Sequence, residues 1–203
     1  MSTETPMKIA FFDLDGTITR GDTLFAFIRF CHGKGRIVAG LAALTPVMVL
    51  HRLGLIPSGR AKERVLSHFF RGFPDEHFRT MGSRFSRDVL PGMVRERALE
   101  EIRMHQSGGV RVVVVTASLD AWCEAWCRKL GLDLIATEYE TIGGIVTGKI
   151  VGRNCKGPEK IRRINERFNL EKAVSIYAYG DRKSDMDMLN LAHSKYLKWK
   201  RIS

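Results

Sequence analysis

The chain of 203 residues has little cysteine, no long apolar run and a shortage of acidic side chains, and each shortage closes off a class of protein. Cys31, Cys123, Cys127 and Cys155 are too few and too scattered for a disulfide scaffold, and no pair has zinc-finger spacing. Reduced thiols in a cytoplasmic protein are the simpler expectation. No secretory signal is visible, because the first apolar run, residues 9–12, is broken at once by Asp13 and Asp15. The longest uncharged stretch, IVAGLAALTPVMVL at 37–50, is shorter than the roughly 20 residues a spanning helix needs and contains Pro46. A buried helical hairpin is expected there, with a membrane-contacting segment as the alternative. Internal repeats and low-complexity tracts are lacking, and the six histidines show no metal-binding spacing.

What is present describes a globular protein: 44% hydrophobic and 27% charged residues fit one domain, or a core domain with a modest insertion. Lys and Arg number 33 against 22 Asp and Glu, a formal net charge of +11. That balance admits a basic module that binds nucleic acid or a membrane surface without catalysis. No nucleic-acid motif accompanies it, however, and the basic residues are spread over the whole chain.

Three short apolar runs without helical period read as buried strands: 8–12, 110–115 and 174–179. Amphipathic helical patterns lie at 94–105, 119–130, 159–168 and 184–192. Apolar strands separated by such helices indicate a doubly wound α/β parallel sheet. The segment from about 20 to 90 breaks the alternation. It is helix-rich, carries most of the phenylalanines and reads as a cap inserted after the first strand. Residues 138–152 read as a hairpin around Gly143-Gly144, and the basic tail KYLKWKRIS as a last strand or a frayed end. The expected division is a catalytic core of residues 1–19 and 91–203 with a helical cap of 20–90.

Each of the three strands ends in a polar cluster: DLDGT, TAS and GDRKSD. Chemistry in open α/β sheets collects at strand carboxyl ends, so this coincidence marks a site. Asp13 and Asp15 are two apart at a glycine turn and repel each other unless a cation lies between them or one is protonated. Asp181 and Asp185, four apart, face one way across a turn entering a helix. Four carboxylates from two strands are therefore expected to converge on one hard divalent cation such as Mg²⁺.

DLDGT, a strand ending in Thr116, a downstream lysine and GDRKSD, in that order, resemble the four motifs of the haloacid-dehalogenase-like phosphohydrolase superfamily. The long insertion after the first motif resembles its phosphoserine-phosphatase-like branch. The resemblance implies a Mg²⁺-dependent phosphatase with a Rossmann-like core, which cleaves a phosphate monoester through an aspartyl-phosphate intermediate. Asp13 would be the nucleophile, and Asp15 would protonate the leaving oxygen and later activate water. The Asp13 carboxylate, the Asp15 carbonyl and the Asp181 carboxylate would hold the metal, with Asp185 in support. Thr116, assisted by the amides of Ala117 and Ser118, would hydrogen-bond the phosphoryl group. NCKGPEK offers Lys156 and Lys160 as the family lysine, and Lys160, which opens the helical pattern and lies nearer to Asp181, matches it better.

In this branch the cap selects the leaving group. Asp22 falls where phosphoserine phosphatases place an acid for the substrate amine, and Arg64 falls near the spacing of their carboxylate-binding arginine. The methionine and phenylalanine that accompany that arginine are replaced by His51 and Pro57. The cap instead carries Phe25, Phe27, Ile28 and Phe30, then the apolar run, with basic residues around them. Two substrate classes follow: a small phosphorylated molecule such as phosphoserine, or a phospholipid such as phosphatidylglycerophosphate with peripheral membrane contact. The apolar residues are otherwise expected to build the cap's own core.

Overall fold

The structure is a computed structural model and describes residues 7–202. In chain order its elements are β1 (Met7–Phe12), α1 (Thr23–Arg52), α2 (Ser58–Phe70), α3 (Asp75–Asp88), α4 (Leu90–Met93), α5 (Glu96–Ser107), β2 (Arg111–Leu119), α6 (Asp120–Lys129), β3 (Asp133–Thr137), β4 (Tyr139–Ile142), β5 (Ile145–Ile150), α7 (Pro158–Arg167), β6 (Ala173–Gly180), α8 (Met186–Leu189), β7 (Ser194–Leu197) and β8 (Lys200–Arg201). Residues 1–6 of the expected core lie outside the described residues.

Alternation along the strands builds the sheet. Ile9 and Phe11 point into one apolar cluster with Val113, Val115, Ile176 and Phe168, while Ala10 and Phe12 point into another with Val112, Val114 and Trp122. Both faces are thus buried, as the unbroken apolar runs require. Among the described residues the main sheet has the order β3-β2-β1-β6-β7-β8, parallel throughout except for the β7–β8 pair. The chain leaves β1 towards β2 on one side and returns to β6 on the other. The crevice above the carboxyl end of β1 is therefore the switch point where such sheets bind ligands.

One irregularity matters for the site. Val115 pairs with Ile135 and Leu119 with Thr137, so Thr116, Ala117 and Ser118 face a single residue of β3. This bulge lifts them out of the ladder into the crevice, a re-aiming that bulges commonly perform beside active sites.

Several expectations are corrected. The pattern at 184–192 forms only a 3₁₀ turn, Lys183–Asp185, and the single-turn α8, because Asp185 turns its side chain back onto the amides of Asp181 and Arg182. β3 is an additional strand, short and of mixed burial, which lacks the unbroken apolar run of the other core strands. The tail pairs as β7 and β8 through a turn in which Lys198 and Trp199 both adopt positive φ. The expected hairpin forms as β4–β5, and it adds to the cap: Val146 N–H donates to Phe73 O at 2.8 Å and Gly72 N–H to Val146 O at 2.9 Å.

The cap and core share apolar material. Phe27 of α1 meets Phe70, Phe78 and Phe85, and its ring lies against Trp122 of α6 at 4.7 Å. α3 approaches α6 so closely that a Cβ at Gly82 would stand 2.1 Å from Ala121 O. Gly33, with φ 77°, kinks α1 into two limbs. The first buries Phe27 and Ile28, in line with a cap core. The second contains the run at 37–50, and there the buried helical hairpin is wrong. The run is one helical limb that buries only Gly40 and Leu44, and just 17% of the helix's most apolar 18-residue stretch is buried. One face rests on α2, where a Cβ at Gly40 would strike the Phe69 ring at 2.3 Å, and none of the described residues covers Val38 and Val49 on the other.

Candidate active site

β1 ends by donating Asp13 N–H to Tyr179 O at 3.0 Å, which ties the first acidic loop to the neighbouring strand β6. The loop then closes through Thr19 N–H to Leu14 O at 2.9 Å. Gly16 sits at φ 93°, where a Cβ would lie 2.3 Å from Asp181 Oδ2, so the turn needs glycine for its backbone conformation and for the approach of the second acidic loop.

Lys160 is fully buried at the start of α7. Its Nζ donates to Asp13 Oδ1 at 2.5 Å and to Asp185 Oδ1 at 2.8 Å. Asp185 Oδ2 accepts from the amides of Asp181 and Arg182 at 3.2 and 3.1 Å, which fixes the loop that carries Asp181. Lys156 lies on the cleft wall instead. Asp13, Asp181 and Asp185 each bring a carboxylate oxygen within 4.8 Å of the others. The expected fourth carboxylate does not join them. Asp15 Oδ1 accepts from Thr23 N–H at 2.8 Å and Oδ2 from the Ser118 hydroxyl at 2.5 Å, facing the cap side of the cleft.

Three carboxylates face the Lys160 ammonium and the Arg182 guanidinium, which stands 3.5 Å from Asp181, and this still leaves net negative charge in a buried place, where an uncompensated ion is costly. Burial pushes the Asp13 carboxyl up to about 7, against the opposing pull of Lys160. Burial also raises Asp181, against the opposing pull of Arg182, and its Oδ1 is enclosed without a hydrogen-bond partner among the described residues. Burial alone would lower Lys160, but the Asp13 and Asp185 carboxylates outweigh it and hold the ammonium charged. An all-oxygen donor set with an orphaned oxygen fits a small hard divalent cation, which would supply the missing positive charge.

The bulge provides the opposite rim. Thr116, buried, accepts the Ser118 N–H on its Oγ1 at 3.0 Å. The Ser118 amide, expected to serve a phosphoryl group, is thereby engaged, and its hydroxyl instead anchors Asp15. That hydroxyl also meets Thr23 Oγ1 at 2.7 Å, and Trp122 Nε1–H donates to the same Thr23 oxygen at 3.1 Å. Asp15 is thus oriented by a chain of side chains that reaches into the shared core. Burial raises its pKa, with Asp22 adding to the rise and the Ser118 and Thr23 hydrogen bonds opposing it.

Above this floor lies a cleft of about 280 Å³, walled by Asp22, Lys62, Lys156 and Arg182 and by apolar Leu24, Phe25, Met48 and Val65. Asp22 caps α1, accepting from the amides of Leu24 and Phe25, while still lining the cleft. Arg64 does not reach it. It lies on the exposed face of α2. The cation from that helix is Lys62, whose Nζ donates to Ala117 O and, at 2.9 Å, to Asn154 Oδ1. Burial pulls its pKa down to about 8 although Asp15 and Asp22 raise it. The signal was available: Lys62, Val65, Leu66 and Phe69 share one helical face, so this lysine interrupts an inward stripe whereas Arg64 faces away.

Comparisons with known proteins give the family and the fold. The family model for haloacid dehalogenase-like hydrolases matches residues 10–190. Protein CicA of Caulobacter vibrioides is 31% identical over 192 residues, covering 94% of this chain and 85% of its own. Phosphoserine phosphatase SerB1 of Mycobacterium tuberculosis is 26% identical over 193 residues, covering 90% of this chain and 61% of its own. Among solved structures, a Bordetella pertussis protein of unknown function superimposes with TM-score 0.83 at 23% identity, covering 95% of this chain and 90% of its own. A substrate-bound phosphoserine phosphatase does so with TM-score 0.63 at 23% identity over 96% of this chain and 87% of its own.

Proposed function

Because this chain belongs to the haloacid dehalogenase-like hydrolases and is a phosphatase of their phosphoserine-phosphatase-like branch, we propose that it hydrolyses a phosphate monoester with Asp13 as nucleophile and Mg²⁺ held by Asp13 and Asp181. The observation that carries this reading is the placement of Lys160 Nζ at 2.5 Å from Asp13 and 2.8 Å from Asp185, with Asp181 alongside.

In the first step an Asp13 carboxylate oxygen attacks phosphorus. The bond to the leaving oxygen breaks with its electron pair, and Asp15 donates its proton to that oxygen. Burial shifts Asp15 upward, in the direction that favours the protonated form the acid role needs. In the second step Asp15, now a carboxylate, takes a proton from water as the water oxygen attacks phosphorus. The bond between phosphorus and the Asp13 oxygen breaks, which frees inorganic phosphate and restores both residues. Lys160 and Thr116 would hold the equatorial oxygens, and bound Mg²⁺ would supply further neutralisation of their charge. Asp185 acts through others, keeping Lys160 and the Asp181 loop in position.

The walls support an amphiphilic leaving group. Leu24, Phe25, Met48 and Val65 offer apolar contact, while Lys62, Lys156 and Asp22 offer charge. The phosphoserine reading draws on Asp22 and on the relatives. For it Lys62, in place of Arg64, would meet the substrate carboxylate. The decisive experiment is release of inorganic phosphate from a soluble chromogenic ester with Mg²⁺ or with EDTA, followed by phosphoserine and a lipid phosphate in detergent. Turnover that EDTA abolishes supports the proposal, and turnover indifferent to chelation contradicts it. Preference for phosphoserine would defeat the amphiphilic assignment.

A further inference from the structure

Among the described residues the second limb of α1 carries an unpartnered apolar face. By helical spacing Val38, Ala42, Val49 and Leu53 point opposite to the buried Gly40 and Leu44. Val38 and Leu53 are each 67% exposed, and Leu55, just beyond the helix, is 68% exposed. Large exposed apolar side chains gathered on one side of a helix and at its end mark an interaction site.

Two further observations identify the occupant. From Thr23 through Lys62 the sequence has no Asp or Glu, yet it carries Arg29, Lys34, Arg36, Arg52, Arg60 and Lys62. All but Lys62 are exposed, and the second limb and its ends carry Lys34, Arg36 and Arg52 with no anion between them in sequence. The strip is also continuous with the candidate site. A shallow groove of about 600 Å³ runs past Leu41, Met48 and Val49, and Phe25, Met48 and His51 form walls of both the groove and the catalytic cleft.

We infer that this limb docks on an anionic lipid bilayer, with its apolar face among the acyl chains and its cations at the headgroups, so that the mouth of the cleft opens at the membrane surface. The face bearing Gly40 and Leu44 stays packed on α2, which makes the contact interfacial. The docking itself does not depend on the chemistry below it. Its consequence, access to substrates presented by the bilayer, rests on the amphiphilic reading proposed above.

Co-sedimentation of the full chain with phosphatidylcholine–phosphatidylserine vesicles and with pure phosphatidylcholine vesicles tests the inference. The wild type should bind the anionic vesicles and be released by salt. The double variant Lys34→Glu/Arg36→Glu should lower the partition coefficient by at least about tenfold. Val38→Gln/Leu53→Gln should lower it as well, and both variants should retain wild-type turnover of the soluble ester. Equal binding to neutral vesicles, or variants that bind like the wild type, would overturn the inference. So would a lipid-free dimer in sedimentation velocity that Val38→Gln/Leu53→Gln dissolves, because a second copy would then be the occupant. Vesicle binding without ester hydrolysis would sink the catalytic proposal and leave the docking standing.

Discussion

The floor of the cleft and the lid above it are built on opposite rules. On the floor nearly every polar atom is committed: Lys160 bridges two carboxylates, Asp185 also takes two amides, and Asp15 is clamped between Thr23 and Ser118. The lid meets the same space with phenylalanine, methionine and a few cations, and among the described residues one face of the second limb of its longest helix has no apolar partner. The contrast separates reaction from substrate. Phosphoryl transfer demands fixed charge at fixed positions, whereas a leaving group is read by a surface that can be rebuilt without touching the chemistry.

That contrast can be broken at four places. Asp13→Asn, on the floor, should remove turnover by on the order of 10⁴-fold or more, measured as phosphate release. The same variant has a second signature in EDTA. A carboxyl raised from 3.8 to about 7 contributes stability that is complete below its unfolded value and is lost as pH rises through about 7. The variant's melting temperature should therefore fall less than the wild type's between those values. Within the lid, the two limbs of α1 should diverge. Phe27→Ala should cost about 3–5 kcal/mol by denaturant unfolding, and Val38→Ala should stay within about 0.5 kcal/mol.

Ser118→Ala should lower kcat by about ten- to a hundredfold. It removes a hydrogen bond that favours the charged form of Asp15, so the alkaline limb of the rate profile should move to higher pH. The smallest effects belong to the walls. Lys62→Met should raise KM about tenfold for an ester with an anionic leaving group while changing kcat little, and Arg64→Met should leave both within about twofold. Reversal of the Lys62 and Arg64 effects would move the specificity contact to the helix face now described as exposed.

The floor was legible in the sequence because its residues are local to strand ends. Asp13, Thr116 and Asp181 follow apolar runs whose lack of helical period identifies buried strands, and parallel pairing brings those ends together. What escaped were contacts that depend on backbone detail. The bulge at Thr116–Ser118 turned an expected amide donor into the hydroxyl that holds Asp15. The fold-back of Asp185 replaced a helix with a 3₁₀ turn. The run at 37–50 departs from expectation for another reason: hydrophobicity records what a segment could bury, and burial also needs a partner, which α2 provides on one side only. Lys62 is one of many cap cations, and its place on an apolar stripe is what sets it apart.

The central claim is that Asp13 accepts the phosphoryl group. Acid quenching during steady-state turnover, followed by mass spectrometry of the peptide that contains DLDGT, tests it most directly. The account predicts one phosphoryl group on Asp13, absent when Asp13 is asparagine. A phosphoryl group on another residue, or undiminished turnover by the asparagine variant, would contradict it.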